Sequence, residues 1–333
     1  MNGLELSRLY YQQLGRPMLE EKFGEYLPRI AAGLAGEGSE CFGFDDDISR
    51  DHDFGPGFCI WLNKEDFDKI GAEMQAAYNN LPKEFMGYAA RNTTKRGGGR
   101  VGVFEIKDFY SRFIGNEQPP KNLINWLYLP EHKIATAVNG EIFEDNPGEF
   151  SFIRNSLLNY YPEDVRIKKI AARAAVMAQA GQYNYGRCMQ RGDIVAAELA
   201  LAEFTKATLS MVYLLNRVYC PYYKWQFYGL KQLCKTMGHR FALSGVVKML
   251  EQLVATENQT AAWQPPFGDN RNPYINKADK KVVIIENICT LVVNELRRQG
   301  LTDIKDNFLE AHTYKLMECI GDETLRRCHV MEG

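Results

Sequence analysis

An α+β protein is what this sequence predicts, with a small mixed-sheet domain ahead of an all-α helical bundle. Three observations carry that reading. Runs of aromatic and β-branched residues that suit strands fall within the first 115 residues or so, alternating with helical patterns. From about residue 122 onward nearly every segment repeats its apolar residues at helical spacing. At 333 residues the chain is long enough for two compact cores.

Residues 4–32 carry Leu6, Tyr10, Leu14 and then Phe23, Leu27, Ile30 at helical spacing, and read as two helices broken near Gly15-Arg16-Pro17. The small-residue run IAAGLAGEGS that follows reads as a buried strand entering a tight turn. GFCIWLN, residues 57–63, has strand composition, and KEDFDKIGAEMQAAYNNLP has the helical period and stops at Pro82. GRVGVFEIKDF, residues 99–109, alternates like a strand behind the turn-forming KRGGG, with Asp108 opening the next helix. Beyond it, VRIKKIAARAAVMAQAGQY, IVAAELALAEFTKATLSMVYLLNRVY, FALSGVVKMLEQLVA and KVVIIENICTLVVNELRRQ are amphipathic and helical. NGEIFEDNPGEF, residues 139–150, reads as a connection, and the domains are set at 1–130 and 131–333.

Hydrophobic residues at 45% and charged residues at 25% fit a globular protein, and no run of about 18 apolar residues offers a membrane span. The first turns are acidic and lack a basic region followed by an apolar core, so the expectation is a cytoplasmic protein without a signal peptide. Eight cysteines are scattered without a CxxC pair and read as buried free thiols. A net charge of −2 gives no global attraction to a polyanion, which argues against extended nucleic acid as a partner.

The stretch that demands an explanation is GSECFGFDDDISRDHDF, residues 38–54, in which five aspartates and a glutamate crowd together. Like charges so close repel unless they are solvated or share a cation. A solvated loop is the ordinary fate of such a run. A calcium loop starting at Asp45 fails on its pattern, since Arg50 takes the glycine position and Pro56 that of the bidentate glutamate. If Asp51-His52-Asp53 begins a strand, the two aspartates project to one face and His52 to the other, where it reads as structural. Two carboxylates on one face suit magnesium or manganese, and a Gly38-Ser39 turn ahead of them suits a phosphate. Together these residues describe a site for a metal and a triphosphate.

That order of residues resembles the DNA polymerase β-like nucleotidyltransferases, whose signature is a strand, a Gly-Ser turn, a further glycine and an Asp-x-Asp pair. Gly38-Ser39, Gly43 and Asp51-His52-Asp53 reproduce it over about residues 30–110. The whole chain also resembles the bacterial domain-of-unknown-function-4037 family, through GFDD, SRDHD, LNR and PYYKW. The resemblance implies a helical domain behind the catalytic one, and a third metal-binding carboxylate on a later strand. Glu105 is the candidate for that ligand; Gly102 is the alternative match, which would leave the ligand missing, and Asp108 is a substitute that helix capping explains equally well.

In the helical half, LLNRVYCPYYKWQF sets Asn216, Arg217 and Lys224 among five aromatics, a surface able to stack a ring and bind phosphate. A packed helix end is the plain alternative. The resemblance implies a lysine reaching the triphosphate, and Lys224 fits. Lys95, Arg96 and Arg100 of KRGGGR suit phosphates or a simple turn, Glu198 and Glu203 are candidates for a general base, and Asp193 caps a helix. The function expected is metal-dependent transfer of a nucleoside monophosphate from a nucleoside triphosphate to a hydroxyl of an unidentified acceptor in a cleft between the domains. Two metals on Asp51, Asp53 and Glu105 would serve it. A nucleotide-binding sensor without transfer is the alternative, and phosphotransfer from the same fold a third reading.

Overall fold

The computed structural model describes residues 1–49, 54–91, 99–263 and 275–333. In chain order its main elements are α1 (Gly3–Tyr10), α2 (Arg16–Phe23), β1 (Ala31–Leu34), β2 (Cys59–Leu62), α3 (Lys64–Asn79), β3 (Gly102–Glu105), α4 (Ile106–Ile114), α5 (Leu123–Tyr128), α6 (Glu131–Val138), β4 (Glu141–Asp145), α7 (Glu149–Leu158), α8 (Glu163–Met177), α9 (Tyr185–Gln190), α10 (Ile194–Leu215), α11 (Tyr223–Met237), α12 (Ser244–Ala255), α13 (Lys280–Arg298), α14 (Leu309–Glu318) and α15 (Glu323–Arg327). The fold is α+β, mostly helical, around a small mixed sheet. The chain divides into one unit of residues 1–121 and 129–160 and another of 122–128 and 161–333.

The sheet of the first unit has the order β3-β2-β1-β4. β1 runs antiparallel to β2 and to β4, while β2 and β3 are parallel, with Cys59 opposite Gly102 and Leu62 opposite Glu105. Alternation along the strands separates two apolar faces. Ala32, Ile60, Leu62 and Val103 join Phe58 and residues of α1, α2 and α3 in one core. On the other face Trp61 stacks on Phe150 at 4.0 Å between ring centroids and meets Phe109 edge-on at 5.4 Å.

Local chemistry fixes the helix ends. Asn2 accepts a hydrogen bond from Glu5 N at 2.8 Å, and Asn63 accepts one from Asp66 N at 2.9 Å, each satisfying an amide that the first turn leaves open. The break expected at Gly15-Arg16-Pro17 is absent. Residues 11–15 form a π-helical turn in which Arg16 N reaches back to Tyr11 O, and Gly15 keeps helical angles (φ −67°, ψ −52°); the chain stays helical into α2, with the wider turn placed where Pro17 cannot donate to the ladder.

A second difference concerns residues 139–150. The expected connection contains β4, paired to β1 in the sheet, so the first unit continues to residue 160 where the sequence suggested a boundary at 130. β4 was hidden by its acids, which are the mark of an edge strand. Glu141 pairs with Arg8 and Glu144 with Arg16, both of which reach across from the N-terminal helices.

In the second unit α8 is buried around most of its circumference, although it carries Arg166, Lys168 and Lys169. Carbonyl oxygens make this tolerable. Lys168 Nζ donates to His329 O, Val330 O and Glu332 O at 2.7–3.2 Å, and Lys169 Nζ donates to Leu127 O at 2.8 Å. Arg173 adds a bond to Gly333 O at 2.7 Å, so α8 holds residues 329–333 in place.

Candidate functional site

The chain leaves β1 at Leu34 and turns through Ala35-Gly36-Glu37-Gly38-Ser39 into a short 3₁₀ turn, Glu40–Phe42. Because β1 is antiparallel to β2, this turn lies at the end of the sheet where β2 and β3 begin, beside Cys59 and Gly102. The segment holding Asp51, His52 and Asp53 lies outside the described residues. The chain is described again from Phe54, five residues before β2.

Gly38 has φ +133°, an angle that L side chains rarely adopt, and a Cβ there would stand 2.6 Å from Glu40 Oε2. Ser39 O accepts hydrogen bonds from Phe42 N and Phe44 N at 3.1 and 2.9 Å, which curls the turn back on itself. Asn139 fixes its other side by taking a bond from Gly36 N and giving one to Gly36 O, each 2.8 Å.

Beneath the turn is a buried ion pair. Arg91 Nη1 meets Glu40 Oε1 at 2.8 Å, with only 7% and 5% of the two side chains exposed. Burial disfavours the guanidinium's charge, and the carboxylate beside it more than restores it. Cys59, also buried here, has its thiol pushed up to about 12 by desolvation.

The acids of the stretch divide by role. Asp46 Oδ1 accepts from Ser49 N at 2.8 Å and closes a local turn. Asp45 Oδ2 accepts from Gly3 N at 2.9 Å at the start of α1, and Gly3 in turn lies against Glu40 and the ring of Phe54. Asp45 Oδ1 is buried and accepts no hydrogen bond among the described residues. A buried carboxylate oxygen in that state suits a hard cation, which takes oxygen ligands. Among the described residues no three His, Cys, Asp or Glu side chains gather as a metal site.

Glu105 is not brought to this end. It closes β3 opposite Leu62, so the length of the strand, about 10 Å at 3.3 Å per residue, separates it from Gly102 and the Gly38-Ser39 turn. Its carboxyl is raised above the ordinary range by burial and then by Asp108. Lys95 and Arg96 lie outside the described residues. Arg100 stands 4.0 Å from Glu37 and faces a recess of about 110 Å³ behind the turn, together with Arg112, Phe104, Phe109 and Phe113. Arg112, Phe109 and Phe113 were not singled out from sequence, since they read as the two faces of an ordinary amphipathic helix, and Phe104 reads as a plain strand residue.

The residues named in the second unit have structural partners. Asn216 clamps Ala242, donating to its carbonyl at 3.1 Å and accepting from its amide at 2.8 Å. Arg217, at φ +55°, pairs with Glu163 at 2.9 Å. Glu198 is bound by Lys281 and Asn258, Glu203 lies 3.8 Å from Lys206, and Asp193 caps α10 through Ala196 N. Lys224 is exposed in the first turn of α11, its ammonium 5.2 Å from the Trp225 ring centroid, beside Tyr222 and Tyr223.

No curated protein and no solved structure matches the chain. A family model does, over residues 126–226, a stretch that takes in Asn216, Arg217 and Lys224 and leaves out Gly38, Ser39, Asp51, Asp53 and Glu105. Over that stretch the chain is similar to the family described as Domain of unknown function (DUF4037).

Proposed function

We propose that the protein transfers a nucleoside monophosphate from a nucleoside triphosphate to a hydroxyl of an acceptor. The observation that carries this reading is the convergence at one end of the sheet. The Gly38-Ser39 turn and the start of β2 belong to that end, Asp45 bonds Gly3, which lies against Glu40 of the same turn, and Asp51 and Asp53 precede β2 in the sequence. Ser39 and the backbone around Gly38 bind the β- and γ-phosphates, and Glu40 with Arg91 keeps the turn rigid under them. Asp51 and Asp53, with Asp45 beside Gly3, are the oxygen donors for magnesium or manganese. Bound there, the metal supplies charge neutralisation at the phosphates and activation of the attacking hydroxyl. The acceptor oxygen bonds to the α-phosphorus as the bond to the bridging oxygen breaks, pyrophosphate leaves, and the hydroxyl proton passes to a base or to water.

A second reading is a nucleotide-binding module without transfer. The distance of Glu105 from the turn favours it, because the third carboxylate expected from the superfamily resemblance is then not at the site. One experiment separates the two. The purified protein is incubated with magnesium and each α-labelled nucleoside triphosphate, with and without cell extract. Label transferred by wild type and lost in Asp51→Asn and Asp53→Asn supports transfer. Wild-type rates in either variant refute the site, and metal-dependent binding without transferred label selects the second reading.

A further inference from the structure

The recess behind the Gly38-Ser39 turn lies on the aromatic face of the sheet. Phe104, Phe109 and Phe113 form its floor, all but buried, with Phe109 and Phe113 edge to face at 5.1 Å. Gly36 leaves this floor open: a Cβ there would sit 3.5 Å from the rings of Phe109 and Phe113. The rim is polar. Arg112 lays its guanidinium over Phe104, 5.0 Å from the ring centroid, and donates to Gly99 O at 3.4 Å, while Arg100 stands 4.0 Å from Glu37.

These features distinguish a ring from an anion. Both arginines already have local partners, and the Glu37 carboxylate offsets part of their charge, so the rim is a weak anion trap. What it offers is a flat guanidinium above a phenylalanine floor, the arrangement on which heteroaromatic rings stack. The size agrees. An engineered apolar cavity of about 150 Å³ holds benzene, so an open recess of about 110 Å³ grips the edge of one ring and leaves the rest at the mouth. The recess shares its wall with the phosphate turn, since Gly36 and Glu37 line it and Gly38-Ser39 follow directly.

We propose that this recess seats the base of the nucleotide, an inference that rests on the nucleotide reading above. Arg112, held on Phe104, is the residue on which the ring stacks. Glu37, a hydrogen-bond acceptor on the rim, suits an exocyclic amino group and makes ATP the first probe.

The test uses the full chain with magnesium and two probes, ATP and inorganic tripolyphosphate, titrated by calorimetry into wild type, Arg112→Ala and Arg112→Lys. Arg112 is exposed on α4, so both variants keep the fold. Stacking on the guanidinium plane predicts that both variants weaken ATP by about tenfold or more, while tripolyphosphate changes less than about twofold. Lysine restoring ATP affinity, or equal losses for the two probes, would assign the recess to an anion and overturn the seat. ATP bound equally by all three proteins overturns the seat and leaves the nucleotide reading standing. Failure of wild type to bind either probe overturns both.

Discussion

Removing one member of the Glu40–Arg91 pair should loosen the first unit far more than removing both. Arg91→Met leaves a carboxylate beneath the Gly38-Ser39 turn with 5% of its side chain exposed and its 2.8 Å partner gone. Breaking a buried pair in this way costs about 3–5 kcal/mol, because the remaining charge is neither solvated nor compensated. At about 1.4 kcal/mol per factor of ten, the opening equilibrium of the unit rises by about two to three and a half orders of magnitude. Hydrogen exchange across a urea series, read on peptides from β1 and β2, measures this without interference from the second unit. Glu40→Gln combined with Arg91→Met removes both charges, and the double variant should be more stable than Arg91→Met alone, and than the sum of the single changes by more than about 1 kcal/mol. A loss below about 1 kcal/mol for Arg91→Met, or strict additivity in the cycle, would show that the pair does not anchor the turn.

Three further outcomes follow from other parts of the structure. Gly140 has φ +70° and a Cβ there would run into Leu34 O, so Gly140→Ala should lower stability by about 1–3 kcal/mol in thermal or urea denaturation, and a neutral result would refute the close approach. Glu105 has its carboxyl raised, chiefly by burial, so its ionisation weakens the folded state once the pH exceeds the unfolded value; Glu105→Gln should therefore stabilise at pH 7–8, with a gain that fades as the pH falls through the unfolded carboxyl range. A gain independent of pH would refute that cause. Lys168→Met strands three carbonyls of residues 329–332, and hydrogen exchange of that segment should rise at least tenfold while α10 stays protected; unchanged exchange would show that other contacts hold the segment.

Much of the sheet was legible because three of its strands, the central β1 and β2 and the edge strand β3, are buried along their length and built almost wholly of apolar or small residues. IAAGL, FCIWL and GVFE announce themselves by composition, and each is a strand. β4 was not legible, because an edge strand with solvent along one side is free to be acidic, and EIFED resembles a loop until its partner is known. The helices followed from periodicity, but the burial of α8 did not. Its lysines look like a solvated face, and only the positions of distant carbonyls reveal where their charges go. Of the candidate site, the Gly-Ser turn could be read locally, since glycine and backbone bonds make it. The place of Glu105 could not. Whether a strand's first or last residue meets that turn depends on strand direction, which no spacing encodes.

The acids of β4 bear on what this protein does in the company of its own copies. A sheet edge with unpaired amides and carbonyls can recruit another extended chain, and growth by such addition is a route to aggregates. Here the exposed side is β4, where Glu141, Glu144 and Asp145 would confront an incoming strand and a register shift opposite Ala32-Gly33 breaks the regular ladder. Arg8 and Arg16 hold two of those carboxylates from within the same unit, so the charges stay in place without repelling one another at the edge. The same residues that concealed the strand from a reading of the sequence guard this edge against further pairing.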